Sequence, residues 1–149
     1  MKETITSFVG LDVHKDSIAI AVAEAGRQAP RFVGTVVPSV PSLRSALRKI
    51  SSASRTLVVY EAGPCGYGLA RRLNAQGYTC EVVAPTHIAR SPIDQRIKTD
   101  RRDALLLARE SRAGNLVPVV MPDERMKRSA ISRALAKISS PHACEPINN

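Results

Sequence analysis

The apolar residues of this chain fall into five short runs, and the spacing between the runs changes partway along. Ser7–Val13 and Ile18–Ala23 are separated only by the polar His14-Lys15-Asp16-Ser17, and Arg31–Val37 follows a turn from Gly26 to Pro30. Such gaps close hairpins, so these three runs predict antiparallel strands, the first of them expected to be the more buried. The next two runs, Thr56–Tyr60 and Thr79–Val83, each come after an amphipathic segment long enough for a helix. In Pro41–Ser51, Leu43, Ala46, Leu47 and Ile50 recur at i, i+3, i+4 and i+7, with Arg44, Arg48 and Lys49 on a face predicted to be solvated. In Gly66–Gln76, Leu69, Ala70 and Leu73 should point inward and Arg71 and Arg72 outward, with Gly77 as the stop. Antiparallel strands first and parallel crossovers later define an α/β domain, a mixed sheet flanked by helices.

Pro85, Pro92 and the polar residues between them read as a loop or a broken helix. Thr99 is then a candidate N-cap for a helix over Asp100–Ala113, which should end before Gly114-Asn115. After Pro122 the pattern changes: Met126, Ala130, Ala134 and Ile138 recur every four residues, while Lys127, Arg128, Arg133 and Lys137 face elsewhere. That is a basic amphipathic helix, and Ser139–Asn149, with two prolines and no periodicity, is expected to be disordered. The predicted organisation is one domain over residues 1–124 and a basic tail over 125–149. Three strands, then helix, strand, helix, strand and helix is the element order of the ribonuclease-H-like fold.

On that scaffold four carboxylates acquire meaning. Asp12 closes the first apolar run, and Glu61 follows Thr56–Tyr60 into the turn Ala62-Gly63-Pro64, so both stand at strand tips. Asp100 and Asp103 lie three residues apart at the start of a helix, on one face. Right-handed crossovers make the strands of Asp12 and Glu61 neighbours. Each acid alone has an ordinary explanation as a strand-end cap, a solvated turn residue or a favourable charge in a helix's first turn. Four together would repel unless cations were bound, and the simplest are Mg²⁺ or Mn²⁺ with oxygen ligands. Two such ions could serve a phosphodiester displacement.

Charge points to the same class of partner. The 149 residues carry 22 Lys+Arg against 13 Asp+Glu, a net +9 and a pI near 10.1, which favours a polyanion. Lys15, Arg90, Arg96, Lys98, Arg101 and Arg102 surround the acids in the sequence and are candidates for phosphate contacts. With aromatics at 3%, base stacking should matter less than backbone contact. His14 could relay protons beside Asp12, although a turn histidine is more commonly just exposed. Cys65, Cys80 and Cys144 have no C-x-x-C spacing, which argues against a disulfide framework or a zinc ribbon and for a reducing, cytoplasmic setting. No stretch approaches the length of a membrane span, and the N-terminus lacks a signal-peptide pattern.

Gly10-Leu11-Asp12-Val13-His14-Lys15, Tyr60-Glu61-Ala62-Gly63-Pro64 and Lys98-Thr99-Asp100-Arg101-Arg102-Asp103-Ala104 together resemble the N-terminal DEDD domain of the IS-one-ten family of insertion-sequence transposases. The resemblance runs from about Ser7 to Glu124. It implies a RuvC-like ribonuclease-H fold, Mg²⁺ dependence, and Asp12, Glu61, Asp100 and Asp103 as the catalytic tetrad. It also implies DNA as partner and a guide, or bridge, RNA that pairs with donor and target DNA; homo-oligomerisation stays open. Members of the family continue through a helical linker into a domain with a serine nucleophile, which Met126–Asn149 does not resemble. Ser129, Ser132, Ser139 and Ser140 are poor substitutes for that serine, so the expectation is a truncated fragment, inactive in transposition by itself.

Two other readings stand beside this one. The chain could bind nucleic acid without catalysis, or it could be a stand-alone nuclease for branched DNA. Sugar kinases and actin-like ATPases also carry an Asp at the first strand tip, but they need glycine-rich phosphate loops, and the eight glycines here are scattered singly.

Overall fold

The computed structural model describes residues 4–63, 66–84 and 99–120. Five strands, β1 (Ser7–Val13), β2 (Ile18–Glu24), β3 (Arg31–Val36), β4 (Thr56–Glu61) and β5 (Thr79–Val83), form one sheet in the order β3-β2-β1-β4-β5. The first three pair antiparallel; β4 joins β1, and β5 joins β4, in parallel. The helices are α1 (Val40–Arg48), α2 (Gly68–Ala75) and α3 (Asp100–Ala113). This is the predicted α/β architecture; β1, β5 and α3 have the predicted bounds, and the other elements shift at one or both ends by one to three residues.

Side-chain alternation along each strand divides the core in two. On one face Val9, Leu11, Ile18, Ile20, Val22, Val58 and Tyr60 pack with Leu43 and Leu47 of α1 and Leu69 and Leu73 of α2. On the other face Ala19, Ala21 and Ala23 meet Ala104 and Ala108 of α3, and Val59 and Val83 meet Leu106 and Leu107. Strand β2 is therefore covered on both faces and is more buried than β1, contrary to the expectation that the first strand would be the more buried, although β1 is the central strand of the sheet. Its continuous apolar run, Ile and Val alternating with Ala, is what burial on two sides requires.

The small residues let α3 approach very closely. A Cβ built on Gly10 would lie 2.3 Å from the Ala104 carbonyl oxygen and 2.6 Å from the Ala108 nitrogen. No side chain fits there, so the helix backbone rests directly on β1. The helix starts at Thr99, whose hydroxyl accepts the Arg102 N–H at 3.1 Å, and stops at Gly114 with φ 76°. Arg101 stacks over the Phe32 ring at 5.2 Å, and Arg112 donates to the carbonyls of Glu24 and Gln28. Both ends of α3 are thus tied to the β2–β3 side of the sheet.

Helix α1 is capped by Ser39, which accepts the Ser42 N–H, and Leu43 and Leu47 face inward as the periodicity implies. In α2 the buried set is the predicted Leu69, Ala70 and Leu73, and Gly77 follows with φ 95°. Arg72 does not simply point outward, because its Nη1 is buried. Tyr60 at the end of β4 donates its hydroxyl to the Gly66 carbonyl and accepts the Ala70 N–H, which fixes where α2 begins. Past α3, Val119 donates to the Val82 carbonyl and Pro118 bridges to Val83, shielding the free edge of β5. Among the described residues no helix is long and apolar enough to cross a membrane. The tail over 125–149 and the Pro85–Pro92 segment lie outside the described residues.

Candidate active site

The β1–β4 ladder ends at Leu11 paired with Tyr60, so Asp12 and Glu61 are the next residues along two adjacent parallel strands. Leu11 and Tyr60 belong to the α1/α2 face, so alternation turns Asp12 and Glu61 to the α3 face. Helix α3 runs back along β1 and presents its first turn at the same end. Asp100 stands there largely exposed, and Asp103 is buried, 6% exposed.

His14 joins these groups. Its Nε2 lies 2.8 Å from Asp12 Oδ2 and 3.0 Å from Asp100 Oδ1, so one imidazole nitrogen links carboxylates from the first strand and the last helix. The local geometry follows from the sequence. Residues i and i+2 of a strand share a face, and the His14 N–H donates to the Ser17 carbonyl, which closes the hairpin turn. Sequence reasoning gave this histidine little weight. The Asp-x-His spacing at a strand end was the signal.

Burial lifts the Asp12 carboxyl to about 6. The hydrogen bond and charge of His14 act in the opposite direction, and the neighbouring charges of Asp103 and Asp100 add to the rise. Burial is the leading cause, so an ionised Asp12 is costly here without a positive partner. Ligand atoms of Asp12, His14 and Asp100 all lie within 4.8 Å of one another, a span that one divalent cation can gather. The two carboxylates supply the oxygens that Mg²⁺ and Mn²⁺ prefer, and the imidazole is the better match to Mn²⁺. The donor set fits a bound cation.

The expected phosphate-contacting residues divide three ways. Lys15 is exposed in the hairpin turn beside the carboxylates. Arg102 is exposed on the first turn of α3, and Arg101, although exposed, is engaged with Phe32. Arg90, Arg96 and Lys98 lie outside the described residues.

A mixed sheet with acids at the tips of β1 and β4 and on the first turn of a helix packed across them defines a ribonuclease-H-like domain of the DEDD type. Residues 9–131 match the IS110 (IS-one-ten) DEDD family model, described as transposase, and the chain belongs to that family. It is 49% identical over 120 residues to a Sinorhizobium fredii protein named as transposase y4qE, covering 79% of this chain and 30% of the relative. It is also 35% identical over 107 residues to the transposase for insertion sequence element IS1533 of Leptospira borgpetersenii, covering 71% of this chain and 31% of the relative. The chain thus spans under a third of the length of the curated relatives it matches.

Proposed function

We propose that this domain performs divalent-cation-dependent phosphodiester chemistry on DNA during insertion-sequence transposition, with Asp12, Glu61, Asp100 and Asp103 as its ligands. The observation that carries this reading is the convergence of Asp12 and Asp100, from opposite ends of the domain, on one His14 nitrogen. Bound cations of this kind activate an oxygen nucleophile and stabilise the leaving oxygen of a phosphodiester. Mg²⁺ or Mn²⁺ fits the donor set.

The chain's own residues then have separable tasks. Asp12 and Glu61 hold the strand side of the site, and Asp100 and Asp103 the helix side. Buried Asp103 fixes charge density where solvent does not screen it. His14 supplies a donor that quiets the repulsion between Asp12 and Asp100 when no cation is present. Exposed Lys15 and Arg102, on the hairpin turn and the first turn of α3, would steer a phosphate backbone toward the carboxylates. A guide RNA and a second copy of the chain are further partners of the proposed activity.

The test is calorimetric titration of Mn²⁺ and Mg²⁺ into the chain and into Asp12→Asn and Asp103→Asn variants, alongside cleavage of four-way-junction DNA. Binding to the parent chain that each variant loses is the expected result. If the variants bind metal as the parent does, the ligand assignment is wrong. DNA binding that survives both substitutions, without metal uptake by any form, would favour the non-catalytic reading.

A further inference from the structure

From Val40 to Cys80 the chain carries six basic residues, Arg44, Arg48, Lys49, Arg55, Arg71 and Arg72, and a single acid, Glu61. Glu61 faces α3, so the α1/α2 side of the sheet is a positive surface with no compensating carboxylate from this stretch. A cavity of about 620 Å³ opens on that side, lined by Arg44, Arg48, Ser51, Ser52, Gln76 and Tyr78, with Ala53. Among the described residues no carboxylate pairs with Arg44 or Arg48.

Three features make this more than a solvated charged surface. Arg44 and Arg48 are one helical turn apart, roughly 6 Å along the α1 axis, so their guanidiniums can take neighbouring phosphates of one strand. Both act on the buried Tyr78 phenol, whose proton is held by burial and loosened first by Arg48 and then by Arg44, so the two charges converge on the cavity. Gln76 Oε1 is buried there without a hydrogen-bond partner, and Arg72, one turn earlier on α2, has a buried Nη1 in the same condition. Ser51 and Ser52 add hydroxyls to the same lining, which carries donors and no carboxylate.

The geometry points to a second nucleic-acid site: the cleft between α1 and the α2–β5 turn grips the phosphate backbone of a single nucleic-acid strand, away from the carboxylates. Ser51–Ala53 precede β4 and Gln76–Tyr78 precede β5, so the cleft lies at the opposite end of the parallel strands from Asp12 and Glu61. Six residues of β4 put the two sites roughly 20 Å apart, on opposite faces of the sheet. One phosphate cannot reach both. The cleft would anchor a strand independently of metal and chemistry. This inference shares with the proposed function only the class of ligand.

The test is fluorescence anisotropy with the full chain in EDTA, using single-stranded RNA and single-stranded DNA 20-mers of the same sequence at several salt concentrations. Arg44→Ala/Arg48→Ala should weaken binding about tenfold at 0.1 M salt and flatten the log-affinity against log-salt slope by about 1.4, two phosphates at 0.7 each. Arg27→Ala/Arg31→Ala removes the same charge elsewhere and should change both quantities less. Arg44→Lys/Arg48→Lys should keep the parent slope, which guards against misfolding of the alanine pair. The strand whose binding falls further identifies the natural ligand as RNA or DNA. Equal losses from the two alanine pairs on both strands would overturn the cleft, whatever the metal titrations give. Loss of strand binding on Asp12→Asn/Asp103→Asn in EDTA, with Arg44→Ala/Arg48→Ala unaffected, would also overturn it and leave the carboxylate site standing.

Discussion

Replacing Asp12 by Asn should make the metal-free protein more stable at neutral pH and above, but not in acid. Burial raises the Asp12 carboxyl from 3.8 to about 6 in the folded state. Below about 3.8 it is protonated in both states and contributes nothing. Between 3.8 and 6 the folded chain holds a proton that the unfolded chain has released, so stability falls as pH rises; above about 6 the penalty is constant. At 1.36 kcal/mol per pH unit across that window, the penalty comes to about 3 kcal/mol. Asparagine carries no charge, and its amide oxygen can still accept from His14. Urea unfolding in EDTA should therefore show Asp12→Asn more stable by up to about 3 kcal/mol at pH 7 and nearly equal to the parent at pH 4. With cation at a hundred times its dissociation constant the parent should regain about 2.7 kcal/mol and the variant little, bringing the two curves together. A variant no more stable than the parent at pH 7 in EDTA would refute the claim that Asp12 sits under electrostatic load.

Gly10→Ala should lower stability by at least the 1–3 kcal/mol typical of overpacking, because the new methyl meets helix backbone rather than a movable side chain; thermal unfolding measures this, and metal affinity should fall with it. His14→Ala removes the influences that hold the Asp12 carboxyl down, so its titration midpoint, followed by carbon NMR in EDTA, should move above about 6. Cys80 is buried at 3% exposure and its thiol is pushed well up by that burial, so native iodoacetamide labelling mapped by mass spectrometry should spare it until denaturant is added.

The order and type of the elements were legible because period-2 runs and period-3.6 segments alternate cleanly and carry caps such as Thr99 and Gly114. The adjacency of Asp12 and Glu61 was legible from connectivity, since a right-handed crossover makes their parallel strands neighbours and brings the two strand ends side by side. Other features depended on tertiary contacts that no local pattern carries. His14 looked like a turn residue until the far helix supplied its second carboxylate. Arg101 looked free for phosphate until Phe32 took its guanidinium. The double-sided burial of β2 was written in its alanines, which could equally have been read as weak strand formers. The cleft on the α1/α2 face joins residues of one helix, the segment before β4 and the turn before β5, so its members share no spacing.

The contact between Gly10 and α3 has a mechanical consequence. Half the acids ride on a helix whose main chain touches the main chain of the strand bearing Asp12, only two residues away. With no flexible side chain between them to absorb a displacement, strand and helix work like two jaws of a vice cut from stiff stock. Whatever pries α3 upward by even a bond length parts Asp100 and Asp103 from the strand-tip acids together, and seating the helix restores the set in one movement.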